Sequence, residues 1–210
     1  RRVARRRACF GEASAALNSR RSRGDRPGRG KGGRGGWLAR LCDRDYRRSM
    51  ASEFERILAA LEGGRFVVVG GVAVVLHGHP RVTADLDVVV AVDVTNVRKL
   101  LAALSDAEFK PLQPVDPSGL GDAGTRREWR EEHGALVLSF ASERFPATTL
   151  DVFIEPPLDF EAMFERARLV PVGRETVRVA SVDDLISMKL GTGRPKDAED
   201  VAALERLRRG

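Results

Sequence analysis

One stretch constrains this chain more than any other: Phe66 to Val90, reading FVVVGGVAVVLHGHPRVTADLDVVV. An apolar run, Phe66 to Val69, breaks at the glycine pair Gly70 and Gly71. A short apolar helical segment, Val72 to His77, and a Gly/Pro turn follow. A second apolar run then carries two aspartates, Asp85 and Asp87. Charges are costly on an otherwise buried strand unless they are paired or hold a metal. Strand residues i and i+2 share a face, about 6.5–7 Å apart, so Asp85 and Asp87 project together while Leu86 points into the core. Two carboxylates side by side repel, and one stays protonated without a cation. A hard divalent ion with oxygen ligands resolves the conflict, and Mg²⁺ is the usual choice where phosphates complete the shell.

A third acid has the same setting. Asp151 lies in TLDVFIE, between Leu150 and Val152. If its strand lies beside that of Asp85 and Asp87, about 4.8 Å away, three carboxylates converge. Three such acids can hold two metal ions, which stabilise the attacking and leaving oxygens of an in-line phosphoryl displacement. Gly70 and Gly71 suit the same chemistry, because glycines let backbone approach phosphates and a helix start presents free N–H groups. Arg81 and Thr83 alternate with Asp85 and Asp87, so all four would share a face, with Arg81 either balancing the acids or touching a phosphate. Lys189, in an otherwise apolar helix, is a phosphate contact or a snorkelling surface lysine. Lys196 and Asp200 stand at i and i+4 and would support the last helix; Arg194, Lys196 and Asp197 could instead orient Lys189 and a nucleotide. His77 reads as a turn or core histidine.

Charge divides the chain in two. Residues 1–49 hold 16 Lys/Arg against 4 Asp/Glu, and residues 50–210 hold 20 against 26. The sequence pI near 10 therefore describes the first segment and is no nucleic-acid footprint of the second. Residues 1–49 are rich in Arg, Gly and Ser and poor in apolar residues, so they are expected to be a disordered tail: a nucleic-acid arm, a transit peptide, or upstream sequence that the native protein lacks. In that last case the protein starts near Met50. Both cysteines, Cys9 and Cys42, fall in this tail, which leaves the remainder without a disulfide framework or a cysteine-ligated zinc. The sequence contains neither an 18-residue apolar run nor an internal repeat, and no apolar stretch follows the basic start as in a secretory signal.

From residue 50 the pattern predicts one domain. Ser52 to Leu61 fits an amphipathic helix that Gly63 and Gly64 end. Strands are expected at Phe66–Val69, Leu86–Val92, Phe109–Leu112, Ala135–Phe140 and Thr149–Ile154, and a hairpin of Leu169–Val172 with Thr176–Ala180 around Gly173. Helices are expected at Thr95–Leu104, Asp159–Ala167, Val182–Leu190 with Ser181 as N-cap, and Pro195–Arg208 with Pro at its start. Pro114 to Thr125 reads as a polar loop. This order predicts an α/β (α+β) fold with a small mixed or antiparallel sheet flanked by helices.

The order glycine pair, D-L-D, later L-D-V resembles the nucleotidyltransferase superfamily that includes DNA polymerase beta. More narrowly, GGVAVVLHGHPRVTADLD with the later SVDDLISMKLGTGRPKDAEDVAAL is similar to the AbiEii-type and related minimal nucleotidyltransferases of bacteria. The resemblance spans about residues 52–207. It implies the nucleotidyltransferase fold and transfer of a nucleoside monophosphate from an NTP to a hydroxyl on a tRNA 3′ end, a protein or a small molecule such as an antibiotic. Asp85, Asp87 and Asp151 would bind Mg²⁺, two ions in all, and Asp151 could deprotonate the acceptor. Gly70, Gly71, Arg81, Thr83, Lys189, Arg194 and Lys196 would serve the nucleotide. A cytoplasmic toxin with a cognate antitoxin or HEPN-type partner is the implied setting; antibiotic modification and a non-catalytic, antitoxin-like nucleotide-binding role are the alternatives. Many superfamily members have Gly-Ser where this chain has Gly71-Val72, so a serine hydroxyl on the phosphate is missing.

Overall fold

A computed structural model describes residues 53–190 and 192–209. The tail expected over residues 1–49, Met50 and both cysteines lie outside the described residues. Among the described residues the first helix, α1, occupies residues 53–60. It is followed by β1 (Phe66–Val69), α2 (Gly70–Leu76), β2 (Asp85–Val90), α3 (Val94–Asp106) and β3 (Lys110–Pro111). A 3₁₀ turn, Pro117–Gly121, leads to α4 (Ala123–His133), β4 (Val137–Ala141) and β5 (Thr149–Phe153). The chain continues through α5 (Phe160–Arg166), the hairpin β6 (Arg168–Val172) and β7 (Glu175–Val179), α6 (Val182–Lys189) and α7 (Pro195–Arg209).

The strands form a seven-stranded sheet in the order β3-β4-β5-β2-β1-β7-β6. It is mixed: β2 runs antiparallel to β1 and parallel to β5, and β1 runs parallel to β7. Burial follows position. All four residues of β1 are buried, as are Leu86 and Val88 to Val90 of β2 and Leu150 and Val152 of β5. Central strands covered on both faces need continuous apolar runs, which β1 and the Val88–Val90 end of β2 have, whereas β5 alternates with Leu150 and Val152 buried. Each buried Val or Leu contributes about 1.5–3 kcal/mol, so the centre of the sheet is the most strongly held part of the fold.

Asn96 fixes where β1 and β2 begin and end. This buried side chain of α3 accepts from the Arg65 N–H at 2.7 Å and donates to the carbonyls of Arg65 at 3.0 Å and Ala91 at 2.8 Å. It thus clamps the residue before β1 to the residue after β2. Backbone groups buried there would otherwise lack partners, and the register that brings Val69 opposite Asp87 is locked from this end.

Three sequence expectations need correction. The polar loop expected over Pro114–Thr125 ends in a helix: α4 is capped by Asp122, whose carboxylate accepts from the Thr125 N–H, and closes on Gly134 in the left-handed region. Six of its eleven residues are charged and no apolar stripe repeats along it; Trp129 is its buried residue. The strand expected over Phe109–Leu112 shrinks to two residues at the sheet edge. Arg81 and Thr83 do not alternate with the aspartates along a strand, because residues 81–84 are irregular and β2 begins at Asp85. His77 has the structural role expected of it, with Nε2 at 2.8 Å from the Ala180 carbonyl.

Candidate active site

The site is assembled by register. Asp87 lies opposite Val69 on one side and Asp151 on the other, and Asp151 lies opposite Ser139 of β4. Residues paired across a ladder share a face, so Asp87 and Asp151 stand side by side at the spacing of adjacent strands. Asp85 is on the same face, two residues earlier in β2, and is exposed where Asp87 and Asp151 are half-buried.

The chain leaves β1 directly over these acids. Gly70 has φ +64° and opens α2. A Cβ at Gly70 would lie 2.0 Å from Oδ2 of Asp87, so no other residue fits this turn. The next backbone N–H, that of Gly71, donates to the Asp87 carboxylate. A Cβ at Gly71 would lie 2.6 Å from the Thr83 hydroxyl and 3.2 Å from Arg81 Cζ. Thr83 and Arg81 therefore reach the glycine pair through the irregular segment 81–84, although not in the manner of a continued strand.

Electrostatics mark this as a strained group of acids. Burial pushes the Asp87 carboxyl up to about 7, and the neighbouring charges of Asp151 and Asp85 add to the shift; the Gly71 N–H and the Lys189 charge oppose it. Burial also raises Asp151, with Asp85 contributing, while a hydrogen bond from the Ser139 side chain lowers it. The other oxygen of Asp151, Oδ1, is buried with no hydrogen-bond partner. A buried acceptor left alone costs about 1–3 kcal/mol. Crowded, desolvated carboxylates with a free oxygen are the donor type that a hard divalent cation such as Mg²⁺ takes, and Asp85, Asp87 and Asp151 are the residues that could supply it. Among the described residues, the group whose ligand atoms all lie within 4.8 Å of one another is Glu128, Glu132 and His133 on α4, not the three aspartates. Both glutamates are exposed, as helix-surface acids usually are without an ion.

On the cationic side, Lys189 ends α6 and is 10% exposed. It does not snorkel: Nζ lies 2.8 Å from Oδ1 of Asp197 and 2.8 Å from Oδ2 of Asp200. Arg81 donates through Nη1 to the same Oδ2 of Asp200. Burial alone would raise Asp197, but hydrogen bonds from Lys189 and Thr192, with the charges of Lys189 and Arg194, hold it below the usual range. The expected i, i+4 support of Lys196 by Asp200 is replaced by these pairs, because Asp200 faces inward and is buried while Lys196 is exposed. Arg194 is exposed too. Sequence reasoning missed Ser139 and the role of Asp200. Both had a signal: Ser139 is the polar residue of the apolar run VLSF, and Asp200 is the last acid of the R-x-K-D-x-x-D run from Arg194, which marked the residue without revealing its partners.

A mixed sheet thus carries adjacent acids on its central strands beneath a glycine turn, with the paired cations Lys189 and Arg81 beside them. The chain belongs to the family described as "Nucleotidyltransferase of unknown function (DUF6036)", which matches residues 48–208. A search of curated proteins finds no significant match. Among solved structures, the lincosamide antibiotic adenylyltransferase LnuA in its lincomycin-bound form is 18% identical with a TM-score of 0.48, covering 74% of this chain and 96% of that one. An antigenic nucleotidyltransferase-like protein from Paracoccidioides brasiliensis is 19% identical with a TM-score of 0.46, covering 78% and 77%. JHP933 from Helicobacter pylori is 14% identical with a TM-score of 0.42, covering 74% and 66%. Among the described residues no helix is long and apolar enough to cross a membrane.

Proposed function

We propose that this chain moves a nucleoside monophosphate from a nucleoside triphosphate to a hydroxyl group and releases pyrophosphate. One observation carries the reading: Asp87 and Asp151 are register partners beneath the Gly70 turn, with Asp87 raised to about 7 and Asp151 Oδ1 without a partner. Asp85, Asp87 and Asp151 would hold Mg²⁺, which supplies charge stabilisation to the attacking and leaving oxygens of an in-line displacement.

The chain's own groups do the rest. The glycine pair brings backbone against Asp87 and leaves room for phosphates above the acids. Lys189 and Arg81 set positive charge on the side where the triphosphate's negative charge lies. Asp151, raised by burial, takes the proton of the acceptor hydroxyl as that oxygen bonds to the α-phosphorus. The bond from the α-phosphorus to its bridging oxygen breaks, and pyrophosphate leaves with the electron pair.

A tRNA 3′ end, a protein side chain or a small molecule can present the hydroxyl. The AbiEii-type resemblance is what supports a toxin of a toxin–antitoxin pair as the setting. The test incubates the full chain with Mg²⁺, each NTP and each acceptor class, and measures pyrophosphate. Release is expected with at least one combination and is lost in Asp87→Ala, which removes a ligand rather than core volume and keeps its circular dichroism. A folded wild-type chain that yields no pyrophosphate and binds no NTP would sink the proposal.

A further inference from the structure

The last helix meets the site through one buried carboxylate. Asp200 is 4% exposed, and the side chains bonded to it are cations from two other elements. Arg81, on the segment before β2, donates to Oδ2, and Lys189 of α6 places Nζ 2.8 Å from the same oxygen. Asp197, one turn earlier in α7, holds Lys189 from another side and accepts from the Thr192 hydroxyl at 2.8 Å. Two cations sharing one oxygen sit closer than like charges would by themselves. Each retains donors: an ammonium has three N–H bonds and a guanidinium five, and these contacts use two of the first and one of the second.

Both cations also belong to the site by separate observations. Arg81 Cζ lies where a Cβ on Gly71 would be 3.2 Å away. The charge of Lys189 acts on Asp87.

We propose that Asp200 is a positioning residue for the triphosphate: it holds Arg81 and Lys189 together beside the glycine pair, so that their remaining N–H groups take the outer phosphate oxygens. This rests on the nucleotidyl-transfer reading above. Asp200 touches neither nucleotide nor metal in this role. Its removal therefore weakens binding of the phosphate chain and leaves metal binding alone. An amide in its place still accepts one hydrogen bond but carries no charge to hold two cations together.

The experiment titrates inorganic tripolyphosphate with Mg²⁺ into the full chain by calorimetry, beside Mn²⁺ binding read by electron paramagnetic resonance without any anion. Asp200→Asn is expected to weaken tripolyphosphate at least about tenfold and to raise the KM for NTP alike, with kcat changed less than about threefold and Mn²⁺ affinity unchanged. Asp200→Glu, which keeps the charge, recovers part of the loss. Arg81→Gln loses a similar factor, and the double variant with Asp200→Asn loses less than the product of the two single losses, because Asp200 acts in part through Arg81. A merely structural role would lower Tm and leave the affinity of the folded protein at its wild-type value. If Asp200→Asn does not fold, Arg81→Gln and Lys189→Gln decide, since wild-type tripolyphosphate affinity in both overturns the proposal. Wild-type affinity in a folded Asp200→Asn protein overturns the positioning role alone. Failure of the unaltered chain to bind tripolyphosphate or any NTP overturns it together with the reaction.

Discussion

Asp87 shows how far one residue's chemistry depends on its neighbours. An aspartate in the unfolded chain ionises near its ordinary value of 3.8, whereas the folded chain holds this one at about 7. Between those values the folded state binds the extra proton, so without a cation this group's contribution to stability falls as pH rises from about 4 to about 7. The loss is a few kcal/mol at most, at about 1.4 kcal/mol per pH unit, and Asp151 shares in it. Asp87→Asn is expected to flatten that part of the curve, so that in metal-free buffer the variant matches or exceeds wild type at pH 8. Urea melts of both proteins at pH 5 and pH 8 check this, and a wild-type curve already flat over the window would count against the crowded-acid account. Gly70→Ala behaves differently. Its Cβ would collide with Asp87 Oδ2 at 2.0 Å at a backbone angle that alanine resists, so a loss of about 3 kcal/mol or more is expected in the same melts.

Among elements, the strands of the sheet were the most legible and α4 the least. β1 and the Val88–Val90 end of β2 are short, valine-rich runs bounded by glycines or acids, and their length and β-branched content favour a buried strand over a helix. In α4, one buried tryptophan holds eleven largely charged residues, and periodicity has nothing to register. What identifies the helix is its ends, Asp122 and Gly134, which were visible in the sequence and outweighed by the Pro/Gly/Asp composition around them. Because the element hangs on Trp129, Trp129→Ala is expected to destabilise the protein by about 3–5 kcal/mol. Hydrogen exchange would show protection lost first over Ala123–His133. Equal loss across β1, β2 and β5 would mean that Trp129 belongs to the main core rather than to its own helix.

At the scale of the molecule, the site joins parts distant in sequence: the β1–α2 turn, two non-consecutive parallel strands and the final helices. Any ligand that bridges them stabilises the whole fold by mass action, about 2.7 kcal/mol at a hundredfold excess over its Kd. Thermal melts of the full chain are therefore expected to rise with Mg²⁺ and further with Mg²⁺ and NTP. The metal increment should be larger at pH 8 than at pH 5, since protons compete for Asp87 below about 7. Chelation should reverse it. Equal increments at both pH values would place the metal elsewhere, with the Glu128, Glu132 and His133 group on α4 as the place to look.

The sequence alone determined the three acids, the glycine pair and the strands that carry them, because a charge within a Val/Leu run and a break between two such runs are local facts. Tertiary structure alone decided that Asp151 pairs with Asp87, that Ser139 completes the row, and that Asp200 binds Arg81 and Lys189. Strand order and the inward face of a weakly amphipathic final helix follow from which surfaces bury together. That choice is made by the whole core at once and leaves no mark at any single position.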